Sequence, residues 1–480
     1  MARPAVLAPP TFDLDSWSSN YTGPLLALRL RHVAANCPAI AHQALTLALN
    51  AAKAGKDVGM YRSLIELSVT LGYPVDIDDD WIARQDDANK RELARLEGEL
   101  RGYKNNLIRE SIRMGQEDLA THLLLTGGPA IPQGKESVAK QAAQTQYGYH
   151  AAYTAFGKMR DFCTTPTHVA GMTLRLLFTA LVQAVSASES GGSPQGHFGS
   201  VTAQASRLSS SGVKTEEEAR LKPIILASKG IACLGQSQYR DAALSFAQMN
   251  SSFASGGAVQ GFDFTRTCAS ANDIAIYGGL TALASLTVEE LTNDILGGSF
   301  RSFLELEPHI RKAITLFTTG KYRAALDTLG RYYSDWNLDV FLGIGYGTPQ
   351  GSHVDRLFAK IREKSIISHF SSFSQISLSS LVETFGPFAG SMPPIEQLEA
   401  ELISMIDEGS LNARLDVVNG VLLAPQHDRR TKTQVDALAA AAEVEQTLLQ
   451  RLHKINVTLA RLELASPKGQ TPVWSQQMMT

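Results

Sequence analysis

The sequence predicts a mainly α protein: a helical-repeat (TPR-like) solenoid, then a winged helix, then a long C-terminal helix. Three observations predict it. They are an ordered pattern of elements between residues 371 and 425, two related segments in the middle of the chain, and a heptad-like seam near its end.

The winged helix carries the sharpest pattern. In SLSSLVETFG, Leu378, Leu381, Val382 and Phe385 fall at i, i+3, i+4 and i+7, one apolar helical face. Gly386-Pro387 ends that helix, because Gly accepts a left-handed cap and Pro cannot continue it. A second helix then sets Ile395, Leu398, Leu402 and Met405 on one face and ends at Gly409. Leu411, Ala413 and Leu415 alternate with polar residues, as a half-buried strand does. Asn419-Gly420 suits a type I′ hairpin turn, and Val421 to Leu423 can pair back.

Such a domain either reads DNA or docks on proteins. A reader needs Lys or Arg beside the phosphates. The second helix instead carries Glu396, Glu399, Glu401, Asp407 and Glu408, with no basic residue between 395 and 408. Repulsion from a polyanion counts against a winged-helix nucleic-acid-binding adaptor and favours docking.

The related segments are Gln238 to Leu244 (QYRDAAL) and Lys321 to Leu326 (KYRAAL), with a weaker echo at Ala152 to Phe156. Each of the first two follows a glycine, Gly235 or Gly320, and places an aromatic ahead of small alanines. Alanines let one helix pack closely on the previous one, the pattern of paired-helix repeats that bind proteins. Before them, helical periodicity runs from Leu25 to Leu71. A longer helix opens at Trp81, with Leu93, Leu96 and Leu100 on one face. Two stretches, 126–147 and 186–212, read as flexible insertions, since Gly, Pro and Ser crowd out large apolar residues.

From 432 to 464 one helix carries Leu448, Leu452, Ile455, Leu459 and Leu462 at alternating steps of four and three. The expected organisation is a tail at 1–24, helical repeats at 25–264 and a domain at 265–427 containing the winged helix (371–425). The long helix (432–464) and a disordered tail (466–480) complete it.

Composition bounds the function. Of 480 residues 44% are hydrophobic and 19% charged, and the net charge of −3 suits neither a nucleic-acid nor a membrane surface. No run approaches the roughly 20 uninterrupted apolar residues of a spanning helix. MARPAVLAPPTF, broken by three prolines, is no signal peptide. Cys37, Cys163, Cys233 and Cys268 are too dispersed for a zinc site or a disulfide framework, and read as reduced, packed thiols.

A search for chemistry finds no active site, cofactor or metal. The 11 histidines form no H-x-H or H-E-x-x-H pair, and no G-x-S-x-G elbow occurs. Gly134-Lys135 fails the phosphate-loop spacing and lacks the Ser or Thr for magnesium. Gly343 to Gly347 lacks the third glycine of a dinucleotide fingerprint and reads as a loop. Glu307 with His309 reads as a helix start, and Cys163 near His168 is close in sequence only.

A repeat array, a winged helix and a lone helix together resemble the PCI family, scaffold subunits of the proteasome lid, the COP-nine signalosome and initiation factor three. SNYTG (19–23), NLIRESIRMGQEDL (106–119), NDIAIYGGLTA (272–282), SFRSFLELEP (299–308), IREKSIISHF (361–370) and LNARLD (411–416) resemble the signalosome's subunit-one branch more than its counterpart in the proteasome regulatory lid.

The resemblance implies a scaffold in a nuclear and cytoplasmic complex that removes the modifier NEDD-eight from cullins, regulating cullin–RING ligases. The catalytic zinc would sit in another subunit. Its partners would be the other PCI subunits and the MPN subunits, with no membrane and no nucleic acid. Leu411, Ala413, Leu415, Val421 and Leu423 in the wing, and Leu452, Ile455 and Leu459 in the long helix, are the expected interface. The repeats would project outward toward partners or substrate.

Overall fold

The computed structural model describes residues 7–129, 148–213, 215–254, 257–386, 394–424 and 429–465. These form two compact units, Met1–Phe373 with Leu378–Glu401, and Ser374–Ser377 with Leu402–Thr480. Residues 130–147 of the insertion expected at 126–147, and the tail at 466–480, lie outside the described residues.

From Pro24 to Ala247 each described α-helix packs on the one before it, as the repeat reading expects. Asp79–Asn105 meets Arg109–Leu125, which meets Gly148–Lys158; Pro166–Glu189, Gln195–Ser209, Thr215–Gly235 and Tyr239–Ala247 follow in turn. Small residues set the spacing. A Cβ on Gly230 would come within 2.5 Å of the Phe246 ring, and one on Gly235 within 2.3 Å of Phe198. Both motif segments form helices, Tyr239–Ala247 and Tyr322–Gly330, and Ala242 and Ala243 are fully buried.

Three expectations change. Residues 195–209, read as flexible, form a helix, because Phe198, Val201, Ala205 and Leu208 recur at helical spacing and are buried. Serine content had masked that period. The stretch read as an N-terminal tail is packed from residue 7, with Leu7, Leu14 and Tyr21 buried. The boundary expected near 264 falls inside one compact unit, where helix Tyr239–Ala247 packs on Ala271–Ser285.

Helix Pro166–Glu189 has the length and hydropathy of a membrane span, yet 83% of its most apolar window is buried within the fold. It is a core helix, packed between Gly148–Lys158 and Gln195–Ser209 and touched by Pro24–Asn36. Cys37, Cys233 and Cys268 are buried free thiols, and Cys163 is free and half-buried.

Helix Pro24–Asn36 is tied to residues three hundred positions away. Its fully buried Arg29 donates Nη1 to Asp339 Oδ2 (2.8 Å) and Nη2 to the Cys268 carbonyl (2.8 Å). Asp273 lies 3.5 Å from the same guanidinium, which sits 4.4 Å above the Tyr21 ring. Tyr21 donates to Asp273 (2.6 Å) and Tyr277 to Asp339 (2.8 Å). One turn on, His32 contacts Glu189 (2.9 Å) and the Asn337 carbonyl (3.0 Å). Both terminal nitrogens of this buried cation are paired, while its Nε has no hydrogen-bond partner; without the carboxylates its burial would be strongly unfavourable.

Gly343 belongs to the same joint. A Cβ there would lie 2.3 Å from the Asn337 carbonyl oxygen and 2.4 Å from His32 Nε2. The glycine cluster is a loop, as expected, and close packing explains its first member.

Candidate assembly interface

The first winged-helix element is Leu378–Phe385, with Leu378, Leu381 and Phe385 buried. Helix His353–Phe370 holds it. Arg362 donates Nη1 to the Phe385 carbonyl (2.8 Å), satisfying a helix end, and Nε to Glu401 Oε1 (2.8 Å). Arg323 caps the same turn through the Glu383 carbonyl (2.8 Å). One carboxylate of the acidic helix is therefore neutralised within the chain.

The second helix, Pro394–Asp407, buries Leu398, Leu402 and Met405 as the spacing predicts, but Ile395 is 44% exposed. It sits at the first turn, one step before the packed stretch begins. Ile403, on the opposite side, is also exposed, beside the exposed carboxylates Asp407 and Glu408.

Three strands make the wing sheet: β1 (Gln375–Ser377), β2 (Arg414–Asp416) and β3 (Val421–Leu423), in the order β1-β3-β2, all antiparallel. Sequence reading missed β1, which has only Ile376 buried and so no period to detect. The hairpin register pairs Leu415 with Leu422 and Asp416 with Val421, leaving a four-residue turn, 417–420, instead of the expected two-residue type I′. Asp416 explains it. Its Oδ1 accepts from the Val418 and Asn419 amides (both 3.1 Å) and its Oδ2 from Asn419 Nδ2 (2.7 Å), while Gly420 takes φ 61°.

The expected interface residues fall into three settings. Leu411 is buried, and so supports the wing from inside. Ala413, Leu415, Val421 and Leu423 are half-buried; the fully buried wing side chain is Leu422. Because β3 is central, the backbone edges belong to β1 and β2, not to Val421 and Leu423. The turn adds an exposed apolar tip, Val417 and Val418, the latter 95% exposed.

Leu452, Ile455 and Leu459 lie on helix Arg429–Ala465, whose 37 residues extend about 55 Å at the usual rise. They are 55%, 54% and 51% exposed, and Leu448, Leu449, Val435 and Leu438 are exposed with them. Burying the exposed half of four such side chains is worth about 3–6 kcal/mol gross before the cost of association. An uncovered stripe of this length is a candidate interaction surface.

Two pairs were considered for catalysis. His168 Nδ1 lies 3.5 Å from Thr164 Oγ1, and burial raises the Cys163 thiol, the reverse of what a nucleophile needs. His309 stands at a helix start, as expected, with its Nδ1 3.3 Å from Glu307, and burial lowers its pKa.

Known proteins resemble this sequence over nearly all of its length. Residues 329–426 match the PCI domain family, and residues 78–129 and 145–294 match the family of 26S proteasome subunit RPN7. A COP9 signalosome complex subunit 1 of Emericella nidulans is 36% identical over 464 residues, spanning 95% of this chain and 84% of that protein.

The chain belongs to the COP9 signalosome subunit 1 family. The subunit 1 proteins of Neurospora crassa and Arabidopsis thaliana are 32% and 27% identical, over 91% and 95% of this chain and 88% and 91% of their own lengths. The PCI match contains the wing and both helices before it. The subunit 1 family thus accounts for the element order, and the exposed stripe lies beyond the PCI match, on residues 429–465.

Proposed function

We infer that the chain is a non-catalytic scaffold subunit of a COP9 signalosome, the complex that removes NEDD-eight from cullins and regulates cullin–RING ligases. The stripe Leu448, Leu452, Ile455 and Leu459 supports this most directly: a chain that leaves such a seam uncovered gains stability by adding it to a bundle of partner helices. The open edge of β2 and the Val418 tip give the wing a second contact, toward a neighbouring PCI subunit. The MPN subunits supply the catalytic zinc, and the assembly works in nucleus and cytoplasm.

Affinity purification of the tagged chain from its own cells, with mass spectrometry and a cullin deneddylation assay, tests the reading. Recovery of the other signalosome subunits with deneddylase activity is expected. Recovery of proteasome lid subunits would reassign the chain to the lid, and recovery of neither would return the winged helix to nucleic acid.

A further inference from the structure

The turn that joins helices Asp79–Asn105 and Arg109–Leu125 breaks the local rules of a helical hairpin at three consecutive residues. Leu107 holds a left-handed backbone (φ 55°), a place that Gly or Asn takes at low cost and Leu does not. Ile108 is the N-cap of the second helix, and its side chain accepts no hydrogen bond from the amides that follow. Arg109 then opens that helix with a positive charge, where the helix dipole favours a carboxylate. Asn106, the residue suited to the left-handed position, stands one place too early.

Packing within the fold does not offset these choices. Leu107 is 81% exposed and Ile108 52%, and the helix before them buries only Ile82, Leu96 and Leu100. Two neighbouring large aliphatics in water, held in a strained turn, point to a surface shaped for something outside the chain.

Charge identifies the complement. From 101 to 109 the sequence RGYKNNLIR carries Arg101, Lys104 and Arg109 and no carboxylate. All three cations are exposed, and none forms an ion pair among the described residues. The carboxylates on either side are already taken, Glu99 by Arg95 and Glu110 by Arg113 (2.6 Å). Arg101 and Lys104, at i and i+3, share a helix face that leads into the turn. A second copy meeting this turn symmetrically would set cations against cations, so the fitting partner is acidic. Tyr103, the one aromatic residue in the stretch, lies inward against Gly115, which leaves the outer face without the Trp or Tyr of a lipid interface.

We propose that this turn docks an acidic polypeptide segment of a partner protein, with an apolar side chain packed on Leu107 and Ile108 and carboxylates paired with Arg101, Lys104 and Arg109. Neither the wing nor the long helix takes part, so the proposal holds whether or not the chain assembles as inferred above.

The test selects a phage-displayed library of random peptides on the immobilised full-length chain, then measures the enriched peptides by fluorescence anisotropy. The expected pool combines Asp and Glu with Leu, Ile, Val or Phe, and its affinity falls with added salt. The Lys104→Glu, Arg109→Glu double variant should bind these peptides about tenfold or more weakly. Leu107→Asn should also weaken them, by about fivefold, yet leave the thermal midpoint unchanged or higher, because Asn accepts the left-handed turn. Weaker binding without weaker folding is a result that a merely structural Leu107 would not give. A pool without acidic bias, no enrichment, a lower midpoint for Leu107→Asn, or wild-type affinity in both variants would each overturn the proposal. So would flotation of the wild-type chain, but not of Leu107→Asn, with phosphatidylserine vesicles, which would give the turn to a membrane surface.

Discussion

Helix Pro24–Asn36 buries Leu25, Leu28 and Val33 along with the ionisable Arg29 and His32, whereas helix Arg429–Ala465 leaves Leu448, Leu452, Ile455 and Leu459 half exposed. The first carries charges that would be costly to bury, and its own chain supplies every counter-group: Asp273, Asp339, Glu189 and two carbonyls. The second carries side chains that are inexpensive to bury, and they stay in water. Exposure at the C-terminal helix therefore does not reflect a general shortage of packing. The molecule completes demanding joints internally and leaves an apolar stripe exposed.

The sharpest way to break this contrast is at Arg29. Arg29→Met should lower stability by about 3–5 kcal/mol, because it strands buried carboxylates without a counter-ion. Urea unfolding measures this, and a loss below about 1 kcal/mol would mean that the joint is not what orders the N-terminal helix. Next in size, Gly343→Ala should cost about 1–3 kcal/mol, since the new methyl would meet the Asn337 and Asp339 carbonyls and the His32 ring. Its thermal midpoint should fall with the urea midpoint.

A smaller effect appears as pH dependence. Burial works to lower the His32 pKa, but the hydrogen bond and charge of Glu189 outweigh it and the net shift is upward. His32 then holds its proton more tightly folded than unfolded. Its contribution is full below the unfolded value of about 6.5 and is lost as pH rises through the higher folded value. Burial likewise opposes the His32 contact at Glu189, whose pKa is nonetheless lowered; that contribution is present above the ordinary carboxylate range and lost as pH falls. His32→Gln should flatten the stability curve above about pH 6.5, and an unchanged slope would show that the pair titrates without linkage to folding.

The same two helices show what was legible in the sequence. The long helix and its seam follow from the spacing of Leu448 to Leu459, a local signal, and the winged-helix order follows from similarly local runs. Family membership was readable from short segments such as SNYTG and FLELEP. The joint at Arg29 was not, because its partners lie 239 and 310 residues away and nothing in RLRH distinguishes a buried arginine from a solvated one. Helix Gln195–Ser209 was misread because serine content outweighed the period of Phe198 and Val201. The four-residue wing turn was missed because Asp416, outside the Asn419-Gly420 dipeptide, sets its length.

The central claim is that the exposed stripe seats the chain in its complex. The direct measurement is co-purification of signalosome subunits with a tagged Leu452→Asp, Leu459→Asp double variant, beside its circular dichroism and urea midpoint. The expected result is a chain folded as stably as the wild type, within about 0.5 kcal/mol as for other exposed positions, that recovers few or no partner subunits. Recovery of the full set of subunits by that variant would contradict the claim and move the assembly surface elsewhere on the molecule.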